Sequence, residues 1–69
     1  MYGKFIGRKV EVASHDHRLF GTLKAVRDKY IELHTIEHEA STGEQIVYET
    51  RINTEKINYI SARAVDNDV

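Results

Sequence analysis

The sequence predicts an all-β domain: a small, strongly bent, five-stranded antiparallel barrel with a short N-terminal helical turn. Three observations predict it. Segments of alternating apolar and polar residues recur along the chain, each ended by a short polar turn, which is the pattern of half-buried strands. Helical spacing of apolar residues is found once, at Tyr2, Phe5 and Ile6. Gly21 stands inside the clearest strand, where a glycine signals sharp bending or close backbone approach. A strongly bent strand is what a very small barrel needs to close.

The elements follow in order. Residues 1–7 make one helical turn over the barrel, ended by Gly7. Residues 8–13 form the first strand, with Val10 and Val12 inward and Lys9 and Glu11 outward. Ser14-His15-Asp16-His17 is a polar turn. Residues 18–26 form the second strand, with Leu19, Gly21, Leu23 and Ala25 on one face and Phe20 on the other, packed under the N-terminal turn. Arg27-Asp28-Lys29 breaks the alternation, and Tyr30 opens a third strand with Ile31 and Leu33 inward. Ser41-Thr42-Gly43-Glu44 reads as a hairpin turn in which Gly43 takes positive φ. Residues 45–52 form a fourth strand with Ile46, Tyr48, Thr50 and Ile52 on one face. Asn53 to Lys56 is a polar turn of 3-10 type, and residues 57–60 form the last strand. The domain is expected over 1–63, with 64–69 as a flexible tail.

Length and composition limit the function classes. A 69-residue chain is one domain with a thin stability margin. With no cysteine it has neither disulfides nor thiolate metal sites, so association between copies is the expected staple. No apolar run is long enough to span a membrane and the N-terminus lacks the apolar core of a signal peptide, so a cytoplasmic location is expected. Net charge is −1, but residues 1–30 carry seven Lys/Arg against three Asp/Glu and residues 31–69 carry three against eight. That asymmetry suits a basic binding face, or a basic side of one copy meeting an acidic side of another.

No catalytic constellation is legible. Ser14, Ser41 and Ser61 lack a nucleophile-elbow context, and no glycine-rich phosphate loop precedes a helix. No enzyme activity and no cofactor are expected. His15 and His17 have metal-ligand spacing, but no further cluster is placed by sequence to complete a site. His34 and His38 share a strand face about 13 Å apart and cannot bind one ion within a single strand. No metal site is assigned.

Gly21-x-Leu23, Asp28, Tyr30 and Leu33, with Val10 and Val12 before them and Ile57 and Ile60 after, resemble the signatures of the Sm-like family (Sm, LSm and Hfq-type proteins). The resemblance implies an SH3-type barrel whose copies form a ring of five to seven subunits, the fourth strand of one pairing with the fifth of the next. Val47, Tyr48, Ile57 and Tyr59 are the interface candidates. It also implies single-stranded RNA bound at the ring rim by two loops, with Asp28, Lys29, Tyr30, Arg51 and Asn53 as candidates. The chain departs from the family pattern at Ile31, where asparagine is frequent, and at Asn53-Thr54, where Arg-Gly is usual. The tyrosine-lysine-histidine signature of the Hfq branch is absent. Generic SH3-like barrels share the Ile52–Ile60 pattern. The alternative is therefore an SH3-like interaction module without nucleic-acid binding, presenting Phe20, Tyr30 or Tyr59 in an exposed groove.

Overall fold

The computed structural model describes residues 2–63. The expected tail, 64–69, lies outside the described residues. Strand β1 spans Lys9–Ser14, β2 Arg18–Val26, β3 Tyr30–His38, β4 Gln45–Asn53 and β5 Ile57–Ala62. They form one antiparallel sheet in the order β4-β3-β2-β1-β5. Hairpins join β1 to β2, β2 to β3 and β3 to β4. β5 returns to the far side of β1, with Val10 opposite Ala62 and Val12 opposite Ile60. β4 and β5 are thus the two edges, and the sheet is not closed on itself.

Alternation sets the core. The inner face buries Val10, Val12, Leu23, Ile31, Leu33 and Ile52, and no polar side chain is buried among the described residues. Each such aliphatic side chain contributes about 1.5–3 kcal/mol when removed from water. The short N-terminal helix is a 3-10 turn, Gly3–Phe5, which lays Tyr2 and Phe5 against this core. Two backbone bonds dock it: Gly7 N–H donates to the Leu23 carbonyl at 2.8 Å and Leu23 N–H to the Arg8 carbonyl at 3.0 Å.

Two expectations about β2 are corrected. The β2–β3 register shifts between Leu23 and Ala25, so that Leu23 faces Leu33 but Ala25 faces Glu32 and Val26 faces Ile31. The bulge moves Ala25 to the outer face and gives its inner place to Val26, which packs on the core. Phe20 does not pack under the N-terminal turn. It lies on the outer face, opposite Glu11 of β1, and is 62% exposed, whereas the N-terminal turn lays Tyr2 and Phe5 against the core on the other face.

Gly21 answers a close approach. A Cβ there would lie 2.8 Å from the His34 carbonyl oxygen and 2.9 Å from Thr35 Oγ1. The β2–β3 ladder runs only as far as Thr22 opposite His34. Beyond it the Thr35 hydroxyl donates to the Phe20 carbonyl at 3.0 Å and crosses the space a side chain at Gly21 would occupy.

Past that point β3 and β4 leave the rest of the sheet as a projecting hairpin, exposed at every residue from 36 to 45. The Cα radius of gyration is 13.1 Å, against about 11 Å for a compact chain of this length. At the hairpin tip Gly43 has φ +76°, and its N–H donates to the Glu39 carbonyl at 2.7 Å. Replacing Gly43 with alanine is expected to cost about 1 kcal/mol, the penalty of left-handed backbone, measurable as a lower urea midpoint with unchanged slope. Among the described residues no helix is long and apolar enough to cross a membrane.

Candidate functional site

The two loops that carry the RNA-binding candidates meet at one end of the sheet. The β2–β3 turn exposes Arg27, Asp28 and Lys29 and is closed by the Arg27 N–H donating to the Tyr30 carbonyl at 2.8 Å. β4 ends beside it, since Tyr30 pairs with Asn53 and Glu32 with Arg51. The β4–β5 connection is a 3-10 turn, Thr54–Lys56, as the polar run Asn53–Lys56 predicts. Thr54 N–H donates to the Lys29 carbonyl at 3.0 Å, which ties the second loop to the first. Asp28, Lys29, Tyr30, Arg51 and Asn53, far apart in sequence, therefore share one surface.

Their side chains have distinct environments. Tyr30 is half-buried, with the Arg51 guanidinium over its ring, 4.9 Å from the centroid, a cation–π contact. Arg51 Nε also lies 3.9 Å from Glu32 Oε1. Asn53 Oδ1 accepts from Glu55 N–H at 2.8 Å and caps the 3-10 turn. Lys29 and Asp28 are exposed. Together these residues supply an aromatic plane, two cations and a carboxylate acceptor.

Of the interface candidates, Val47 is 53% exposed on β4 and Tyr59 44% exposed on β5. Tyr48 is exposed as well, while Ile57 packs partly against the subunit core. Tyr59 is oriented by its hydroxyl, which donates to Glu11 Oε2 at 3.1 Å.

Comparison of the chain with protein-family models, curated proteins and solved structures finds no match.

One group escaped the sequence reading. Glu32, His34 and Glu49 bring one ligand atom each to within 4.8 Å of one another. The signal in sequence is Glu32-x-His34, two residues of one strand face, but Glu49 joins them only through the β3–β4 register that sets it opposite His34. His15 and His17 stay exposed in their turn; Asp16 Oδ1 lies 4.0 Å from His15 Nε2, but among the described residues these side chains form no group of three donors close enough to hold one ion. The outer face also carries Ile36 opposite Val47, with Phe20 on the neighbouring strand, all exposed.

Proposed function

We propose that this chain is a ring-forming Sm-like protein of the cytoplasm, its bent sheet an open SH3-type barrel, that binds single-stranded RNA at the ring rim. The observation that carries the reading is the character of the two sheet edges. Edge strands present unpaired backbone groups and are normally guarded by charges or proline. β5, Ile-Asn-Tyr-Ile-Ser-Ala, has neither, and β4, a nine-residue edge, confines its charges to Glu49 and Arg51 and leaves Val47 and Tyr48 exposed. These two edges pair with each other between copies: β4 of one chain takes β5 of the next, and repetition of this head-to-tail contact closes a ring of five to seven. Native mass spectrometry at micromolar concentration tests it. A discrete five-, six- or seven-fold species is expected; a clean monomer overturns the reading.

The joined loops at residues 27–30 and 51–54 repeat once per copy around such a ring. Tyr30 stacks on a base with Arg51 beside it, Lys29 meets phosphate, and Asp28 and Asn53 contact base edges. Base–aromatic stacking contributes about 1–3 kcal/mol. Tyr30→Ala is therefore expected to weaken binding of short U-rich or A-rich RNA by roughly 5- to 150-fold, and Tyr30→Phe to leave it within a few-fold. Polarisation titrations at two salt concentrations check this. Equal losses for both variants would remove stacking from the mechanism.

A second reading, an SH3-like interaction module without RNA, has its own support in the exposed Phe20, Ile36 and Val47 on the outer face. It is the reading that a monomeric chain without RNA affinity favours.

A further inference from the structure

We propose that Glu32, His34 and Glu49 form a divalent transition-metal site, with Zn²⁺ the ion that the donor set fits. His34 Nε2 lies 3.2 Å from Glu32 Oε2 and 3.5 Å from Glu49 Oε2. A tetrahedral ion with Zn–N and Zn–O bonds near 2.0–2.2 Å holds its donors about 3.3–3.5 Å apart. His34 Nε2 thus already stands at about such a separation from each carboxylate, and all three donors lie within 4.8 Å of one another, so a small closing movement of the two carboxylates completes one face of a tetrahedron.

The backbone explains why. Glu32 and His34 are two apart on β3 and share its outer face, and Glu49 is the cross-strand partner of His34 on β4. The donors come from paired strands, which position ligands more firmly than a loop does. Glu32 and His34 are also largely withdrawn from water, with side chains 19% and 25% exposed. Glu49 is more open at 66%, so the fourth position of a tetrahedral ion faces solvent on that side.

Hydrogen bonding alone leaves the cluster incompletely matched. A single Nε2 carries one N–H and cannot satisfy two carboxylates equally, whereas an ion takes one donor from each of the three. Arg51 adds a fixed orientation. Its Nε lies 3.9 Å from Glu32 Oε1, the oxygen turned away from His34, and leaves Oε2 directed at the site. Imidazole with carboxylates suits Zn²⁺, and three donors including a nitrogen do not suit Ca²⁺ or Mg²⁺, which take six or more oxygen ligands.

Calorimetric titration of the intact chain with Zn²⁺ in a non-chelating buffer tests the site, with thermal denaturation alongside. The expected result is one Zn²⁺ per chain and a higher melting temperature with the ion. Glu49→Gln is the decisive variant, because Glu49 is exposed and its loss spares the core. It and His34→Ala are each expected to weaken Zn²⁺ binding at least about 100-fold, the upper end of what even an outer-shell change costs. A His15→Ala, His17→Ala double variant should bind as the parent chain does. No binding by the parent chain, or binding that survives Glu49→Gln, or binding lost with His15 and His17, overturns the proposal.

Discussion

A lysine placed on each sheet edge, Val47→Lys together with Ser61→Lys, is expected to leave folded monomers in place of the proposed ring. Both positions are exposed, so each substitution should change subunit stability by no more than about 0.5 kcal/mol. Across a β4–β5 contact between copies the effect differs. Every junction of the proposed ring would then carry both new lysines, and strand edges guarded in this way resist pairing. One lesion repeated at every junction leaves no intact contact from which a partial ring could form. Native mass spectrometry should show a single-chain mass, with far-UV circular dichroism unchanged. RNA affinity should fall with the ring, by as much as about 10²- to 10⁴-fold, because linked weak sites act together only while the copies are joined. A double variant that keeps a multimeric mass places the junction elsewhere.

Substitution at Gly21 should give the largest loss of subunit stability from a single small change. Alanine normally improves on glycine within a strand, by roughly 0.5–1 kcal/mol. Here the sign reverses, since the added methyl meets a backbone carbonyl at 2.8 Å, and backbone cannot step aside as a side chain can. Gly21→Ala is expected to cost about 1–3 kcal/mol, the usual penalty for overfilling packed structure, and the bulkier Gly21→Val more than that. The whole domain is worth roughly 3–10 kcal/mol at this length. Each kcal/mol lost lowers the melting temperature by about 4–8 °C, so Gly21→Val should be largely unfolded at physiological temperature. Gly3→Ala, where a Cβ meets nothing within 4 Å, is the matched control and should move stability by less than about 0.5 kcal/mol. Thr35→Ala removes one of the two obstructing atoms. Combined with Gly21→Ala it should cost less than the sum of the two, a coupling that a thermodynamic cycle detects.

The strands were legible because one face of each buries aliphatic residues and the other does not. Val10 and Val12, Leu23, Ile31 with Leu33, and Ile52 are where a period of two puts them. The β2 bulge was not legible, because an extra residue in one strand leaves no mark in composition, and it cost the placement of Ala25. Phe20 shows a different limit: alternation puts it on the face away from the core, but which face the N-terminal turn covers is decided by that turn's backbone bonds with Leu23 and by the docking of Tyr2 and Phe5 on the core. The turn at Arg27-Asp28-Lys29 and the one at Thr54–Lys56 could each be read locally, and their junction through the Lys29 carbonyl could not. The Glu32, His34 and Glu49 group shows the same limit. Two members are visible on one strand, but the third depends on which residues of β3 and β4 stand opposite each other.

The strand order also sets a folding sequence. Three of the four ladders join neighbours across short turns, so each needs only a small loop to close. The β1–β5 ladder instead joins segments from opposite ends of the described chain and closes around everything between them. Contacts of that kind are the slow ones to form. The β1-to-β4 meander would then assemble first, and β5 would dock late on a preformed β1. Weakening β5, by truncating Ile60 for instance, should chiefly accelerate unfolding, whereas weakening Leu23 or Leu33 in the meander should slow folding itself.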